Sequence, residues 1–345
     1  MKSVSILYLG KRGGGAKFTI HLVSQIAKSD SFVLDKIILR PMFENFSELR
    51  GEREKVFLFQ GNSFFASLRE VLYFRFFPER LLTCLGLNEN SIVLVPMISP
   101  LGLIVEHTLE KCGVRFIRFI HDAQPHPGEL WPRKRTLNRI IKGSSYVVAL
   151  SRSVAQQAYE LNSSLRLSIY PHPIFLFENK QTEPFYKFKY ILFIGRIRKY
   201  KGVETLVEAY GKLQTDELKL VIAGQGSVSI QNQENVIWFS RWLTEIEISN
   251  LVEFADLVVL PYLEASQSGF LPYLIFREKI VVVTPQPGLL EQADGYENLI
   301  VTKDTSVESI MEGMRQAICF ESRKTHFKPK HIQIEEVIID SGFYE

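Results

Sequence analysis

Ten short apolar runs, set apart by longer mixed segments, constrain this chain more than any other feature. Ser3–Leu9 (SVSILYL), Lys36–Leu39, Ser91–Pro96 (SIVLVP), Arg115–Ile120 and Tyr146–Leu150 (YVVAL) form a first series. Tyr190–Ile194 (YILFI), Lys219–Ala223 (KLVIA), Asn235–Phe239 (NVIWF), Leu257–Leu260 and Ile280–Val283 (IVVV) form a second. Runs without polar alternation suit parallel strands covered on both faces. The segments between them, such as Phe18–Lys28 and Glu204–Leu213, carry helical periodicity. Strand–helix alternation builds parallel sheets through right-handed crossovers. The expected fold class is therefore α/β, with two Rossmann-like domains. A polar stretch containing Pro184, Phe175–Lys189, separates the series. One large sheet is the alternative, but two series of five strands exceed the usual sheet of about 4–6 strands. The expected domains are 1–175 and 176–330, with a tail, 331–345, free to pack back on the first.

Composition narrows the function classes. The 345 residues carry a net charge of only +3, so attraction of the whole molecule to nucleic acid is not expected. Hydrophobic residues at 46% and charged residues at 23% are the balance of a soluble globular protein. Cys84, Cys112 and Cys319 are far apart and lack zinc spacing, which suits free buried thiols in a reducing compartment. The apolar stretch at the start is short for a signal peptide, and no window reaches the ~20 apolar residues of a membrane span. A cytoplasmic protein is expected, with a membrane surface still open to it.

Three segments of the second series carry chemistry. In Tyr190–Tyr210 (YILFIGRIRKYKGVETLVEAY) an apolar strand ends at Gly195, followed by Arg196, Arg198, Lys199 and Lys201. Cations at the carboxyl end of a parallel strand lie where open α/β sheets bind ligands. Arg196 could hold a diphosphate bidentately and Lys201 as a point charge. The alternative is a solvated basic turn. In Leu220–Ser227 (LVIAGQGS), Gly224 and Gly226 permit close backbone approach to a ligand, or simply a tight turn. In Ala255–Leu274 a strand ends at Pro261, and Ser268-Gly269-Phe270 opens a helix whose free N–H groups suit phosphate oxygens. Ordinary capping by Ser266 or Ser268 is the other reading.

In order and content these pieces resemble the donor half of glycosyltransferase family 4. The resemblance runs through GRIRKYKGVETLVEAY, LVIAGQGS, NVIWFSRWLTEIEISNLVEFADLVVLPY, SQSGFLP and PGLLEQ, covering roughly Tyr190 to Val301. It continues into the first half at the Gly-rich loop, at HDAQPHPGE and at YVVALSRSVAQQ. It implies the GT-B fold, two Rossmann-like domains facing a cleft, and transfer from a nucleotide diphosphate sugar with retention of configuration. It also implies that the loop Gly10–Lys17, with Gly14 and Gly15, borders the donor phosphates and the acceptor. The same loop lacks the spacing of a Walker motif or a clean dinucleotide fingerprint, so no such cofactor is expected. The resemblance sets His121 facing the donor sugar, with Asp122 orienting its ring or capping a turn. A structural role for the lone histidine is the bland alternative. His126 is a second candidate near the acceptor, whereas His172 reads as structural.

One departure matters. Many family members carry two glutamates eight positions apart where this chain has Gln267 and Ile275. Gln267 can still bond a sugar hydroxyl, but Ile275 cannot accept from ribose, so either Glu264 or another carboxylate compensates, or the nucleotide is held differently. With no D-x-D and no metal spacing, no metal is expected; cations and helix N–H groups would neutralise the leaving diphosphate. Finally, Ser63–Pro78 (SFFASLREVLYFRFFP) has helical spacing that sets Arg69, Tyr73 and Phe76 on one face, with Pro78 ending the helix. Arg133, Lys134, Arg135 and Arg139 form a second basic cluster. Both read either as core with a solvated edge or as an acceptor-side docking surface for anionic lipid. The acceptor expected is a saccharide, carried on a lipid at the inner membrane face during surface polysaccharide assembly. A non-catalytic sugar-nucleotide or polysaccharide-binding protein of the same fold, or a sugar-nucleotide epimerase, is the rival reading.

Overall fold

The computed structural model describes residues 2–41, 43–44, 46–49, 51–52, 56–59, 63–129, 131–177, 182–215, 217–229, 233–323 and 332–343. Part of the expected inter-domain stretch, 178–181, and positions 331, 344 and 345 of the tail lie outside them. In chain order the first elements are β1 (Lys2–Tyr8), α1 (Gly14–Ile26), β2 (Phe32–Leu39), β3 (Val56–Leu58), α2 (Phe64–Phe76), α3 (Pro78–Leu85), β4 (Ile92–Val95), α4 (Pro100–Glu110), β5 (Arg115–Ile120), α5 (Lys134–Gly143), β6 (Tyr146–Ala149), α6 (Arg152–Leu161) and β7 (Arg166–Ile169). There follow β8 (Lys189–Ile194), α7 (Val203–Leu213), β9 (Leu218–Ala223), β10 (Val236–Phe239), α8 (Glu245–Glu253), β11 (Leu257–Leu260), α9 (Leu271–Phe276), β12 (Val281–Val283), α10 (Pro287–Gln292), β13 (Leu299–Val301), α11 (Val307–Ile318) and α12 (Ile334–Asp340).

The described residues of 1–125, 131–173 and 331–345 form one compact unit, and those of 126–130 and 174–330 form a second. Each has its own parallel sheet. The first is ordered β3-β2-β1-β4-β5-β6-β7 and the second β10-β9-β8-β11-β12-β13. Strand order reverses beside the first strand of each unit, between β1 and β4 and between β8 and β11. Such a reversal splays the crossover helices to opposite faces and opens a crevice at the strands' carboxyl ends. The strands are as apolar as two-sided burial requires. Ile191–Ile194 and Leu220–Ala223 are each 0% exposed.

Polar capping ends and starts the helices. Ser63, Ser99 and Ser151 each accept an amide hydrogen at the start of α2, α4 and α6. Pro78 ends α2 and is also the first residue of α3, where its missing N–H costs nothing. The thiols differ from expectation: Cys84 and Cys319 are exposed and only Cys112 is half-buried. Helix periodicity explains this, since Cys84 falls on the outer face of α3 beside the buried Leu81 and Leu85.

The first unit hides one ionic network. Arg118, pointing off β5, is 7% exposed. Its Nε donates to Glu106 of α4 at 2.6 Å, and its Nη atoms donate to Ser144 and Glu110. Burial pushes the Glu106 carboxyl above its usual range, against the pull of Arg118. The same unit includes α12. Its Ile334, Val337 and Ile338 are at most 1% exposed, the Tyr146 hydroxyl donates to the Val337 carbonyl at 2.8 Å, and Ser168 donates to Asp340 at 2.9 Å.

Candidate functional site

In the second unit the carboxyl ends of β8 and β9 are joined beyond the strands themselves. The Ile197 amide donates to the Gln225 carbonyl at 2.9 Å, and Ile197 pairs with Gly226 as a parallel bridge. Only glycine tolerates this approach. Gly224 and Gly226 have φ of 149° and 134°, and a Cβ on them would fall 1.7 Å from the Gly195 carbonyl oxygen and 2.1 Å from that of Ile197. The neighbouring backbone by itself requires glycine at both positions. Extended pairing also sets the alternation of side chains. Ile197 points into the core at 0% exposed, which turns Arg196 and Arg198 together to the other face.

Glu129 meets both guanidiniums. Its Oε1 lies 3.5 Å from Arg196 Nη1 and 3.8 Å from Arg198 Nε. Arg196 also donates to the Tyr200 hydroxyl at 3.3 Å. The His126 ring stacks on Tyr200, centroids 4.4 Å apart, and its Nδ1 lies 3.5 Å from Glu264. His126 and Glu129 therefore take their contacts from the second unit, whereas the sequence places them with the acceptor-side half. Lys201 Nζ sits 3.5 Å from the centroid of the Tyr262 ring, a cation–π contact that holds the ammonium at the end of β11. The Tyr262 and Ser268 hydroxyls share a hydrogen bond at 3.2 Å, and burial pushes the Tyr262 phenol above its usual range.

At the expected phosphate cradle, Ser268–Phe270, two of the three amides donate within the protein. The Ser268 amide donates to the Gln292 side chain at 2.7 Å, and the Phe270 amide donates to Ser268 Oγ at 3.3 Å, as does that of Leu271. Ser268 Oγ thus accepts from two amides at the start of the six-residue helix α9, whose N-cap position is Phe270. Gly269, exposed, carries the remaining amide of the three. Gln267 is half-buried in this loop, and Glu264 faces His126. Ile275, at the second glutamate position, is 3% exposed in the core.

In the first unit the Gly-rich loop runs from β1 into α1. Gly15 lies against the Tyr8 ring, where a Cβ would come within 2.6 Å of the hydroxyl, while nothing lies within 4 Å of a Cβ on Gly14. His121 follows β5. Its Nε2 bonds the Pro96 carbonyl at 2.8 Å, so that nitrogen carries the hydrogen and Nδ1 is the ring's acceptor. Burial lowers its pKa, so the ring is neutral at pH 7. Phe18 of α1 meets it edge-on at 5.6 Å. Sequence reasoning missed two neighbours: His21 bonds the Tyr170 hydroxyl at 2.7 Å, and both pack on Phe18. Only the shared helix face of Phe18 and His21, three apart, hinted at them. His172 bonds the Pro173 carbonyl, and burial, with His121 and His21 nearby, pushes it down to about 3. Arg69 and Arg133 stand exposed on other elements, α2 and the residue before α5. Among the described residues, no group of three or more His, Cys, Asp or Glu side chains could hold a metal ion.

Residues 176–331 match the family model described as glycosyl transferases group 1. Over 205 residues the chain is 28% identical to an uncharacterized glycosyltransferase of Methanocaldococcus jannaschii, covering 53% of this chain and 52% of that one. The chain thus spans about half the length of this curated relative. Among solved structures it is similar to Anabaena HepE in complex with UDP and glucose, at 13% identity and a TM-score of 0.67, over 92% of this chain and 90% of that one. It is also similar to a putative UDP-N-acetylglucosamine 2-epimerase from Listeria monocytogenes, at 10% identity and a TM-score of 0.61, over 92% and 88%. At these identities the likeness is one of fold, and that fold is GT-B, built from two Rossmann-like units.

Proposed function

We propose that this chain, a GT-B fold whose residues 176–331 match the glycosyl transferases group 1, is a glycosyltransferase taking sugar from a nucleotide diphosphate to a saccharide acceptor. One observation carries the reading. Arg196, Arg198 and Lys201 gather at the carboxyl end of β8, at the strand-order reversal of the second sheet. Departure of the donor's diphosphate builds negative charge there. Arg196 and Lys201 stabilise it most in the transition state, which is where binding energy accelerates chemistry. Gly195, Gly224, Gly226 and Gly269 leave backbone close to the same place, and Gln267 and Glu264 supply groups for sugar hydroxyls. The sugar carbon develops oxocarbenium character while the acceptor hydroxyl attacks from the leaving-group face, its proton passing to the departing phosphate. Configuration is then retained. His121 keeps the role that the resemblance implies for it, in turnover and not in holding the diphosphate.

In this proposal the leaving charge is balanced by side chains, so transfer is expected to survive a chelator. The assay offers UDP-linked sugars first, because HepE was solved with UDP and glucose. Transfer retained in EDTA is the expected result. Full loss restored by magnesium or manganese would overturn the metal-free part, and no turnover of any nucleotide sugar with any acceptor extract would overturn the reading. Interconversion of the free nucleotide sugar without acceptor would instead mark an epimerase.

The acceptor proposed is a lipid-linked saccharide, met at an anionic cytoplasmic membrane surface during polysaccharide assembly. Support comes from α2, whose outward face carries Phe65 and Phe76, 80% and 76% exposed, beside exposed Arg69 and Arg75. Arg133, Lys134, Arg135 and Arg139 add exposed charge around α5. Among the described residues no helix is long and apolar enough to cross a membrane, so contact would be peripheral. Each basic side chain near anionic lipid contributes about 1 kcal/mol, a contribution that salt screens. Co-sedimentation with phosphatidylserine vesicles at low salt, lost at high salt and absent with neutral vesicles, is the expected result. No binding to either, with efficient transfer to a water-soluble acceptor, would remove the membrane from the reading.

A further inference from the structure

Glu129 stands against Arg196, to which the donor reading assigns the diphosphate. Its side chain is 20% exposed, while those of Arg196 and Arg198 are 52% and 39% exposed. The Oε1 atom between them is buried and, among the described residues, has no hydrogen-bond partner. The two guanidinium nitrogens, at 3.5 and 3.8 Å, attract it without bonding it. This is an incomplete pairing: a buried acceptor left without a hydrogen bond is costly, and two cations are held by a single oxygen. The segment is nevertheless aimed. His126, three residues earlier, stacks on Tyr200, four residues beyond Arg196, and faces Glu264. Stacking at one end directs the carboxylate at the other.

The geometry points to Glu129 as an internal stand-in for the donor's diphosphate, holding Arg196 and Arg198 in the ligand-free chain and yielding them when a nucleotide diphosphate binds. This rests on the donor reading above. A diphosphate presents several charged oxygens and can give each guanidinium the charge-assisted hydrogen bonds that Glu129 does not. The exchange is easy because the incumbent pairs are partly exposed and weak. Until donor arrives, the carboxylate keeps the two arginines oriented and neutralised, so that other anions meet a clamp already filled.

The test is titration calorimetry with UDP, then GDP and ADP, at low ionic strength. Glu129→Gln keeps the shape and removes the charge, and roughly three- to tenfold tighter binding than wild type is expected. Glu129→Asp, which withdraws the carboxylate by one methylene, should move the same way by less, and serves if the glutamine variant does not fold. In an Arg196→Ala background the gain from Glu129→Gln should shrink to the share that Arg198 returns, since Glu129 and Arg196 act on one another. Wild-type binding of UDP with equal or weaker binding by both Glu129 variants would overturn the stand-in and leave the donor reading intact. Absence of binding of all three nucleotides to wild type and variants would overturn both.

Discussion

Arg196→Ala and Lys201→Ala are each expected to lower kcat/KM by about thirty- to a thousandfold, a loss of about 2–4 kcal/mol of transition-state stabilisation. The expectation rests on where the two cations are held. Alternation from the core-facing Ile197 turns Arg196 outward, and the Tyr262 ring fixes the Lys201 ammonium at the end of the neighbouring strand β11. Neither cation is needed to hold the sheet, because Arg196 is half exposed and its partners are Glu129 and the Tyr200 hydroxyl. Both variants should therefore fold, and the loss should fall on turnover and nucleotide diphosphate affinity together. Steady-state kinetics with calorimetry on the same preparations reads both. His121→Ala provides the contrast: turnover drops while the nucleotide diphosphate's affinity stays within a few fold, because that ring lies in the other unit. Near-wild-type kinetics in both clamp variants would remove them from the mechanism.

A second large effect concerns stability. Arg118→Met should destabilise the chain by about 3–5 kcal/mol at pH 7, because it leaves the Glu106 carboxylate buried without its cation. Adding Glu106→Leu to that variant should recover most of the loss, since a buried pair replaced by packed apolar side chains is often neutral. Urea unfolding of the two single variants and the double variant measures the coupling. The pH dependence has a definite sign. Burial already raises Glu106, and removing Arg118 raises it further. A carboxyl raised in the folded state binds its proton more tightly there than in the unfolded chain. Stability of Arg118→Met relative to wild type should therefore improve as pH falls from the raised value toward the ordinary carboxylate range. A deficit unchanged between pH 7 and pH 5 would mean that the lost packing of Arg118 on Phe116, not the stranded charge, is the cause.

Much of the fold could be read from the sequence because parallel strands buried on both faces cannot hide their apolar runs. Every run from Ser3–Leu9 to Ile280–Val283 overlaps a strand of one of the two sheets. The strands that went unread are β3, β7 and β13, of three, four and three residues. Runs that short carry no periodicity, and β7 (Arg166–Ile169) alternates polar side chains because it edges its sheet. At the site, Arg196 and Lys201 were legible because charge directly after an apolar strand is unusual and local. The bond from the Ser268 amide was not, because its acceptor is Gln292, which is 24 residues away. Nor was the approach of Glu129 to Arg196 and Arg198, since nothing in HDAQPHPGE signals that its latter part leaves one unit for the other. The His21–Tyr170 bond spans 149 positions and has no local pattern at all.

The placement of α12 has a consequence for how the chain is made. The first unit includes residues from 331–345, which follow the whole second unit in sequence. During synthesis domains generally fold as they emerge, the earlier before the later. Here the second unit can finish first, while Tyr146 and Ser168 of the earlier one still await the Val337 carbonyl and Asp340. A ribosome that stalls anywhere before Ile334 leaves Tyr146 and Ser168 without these partners. Completion of the first unit is thus timed by residues made after the second.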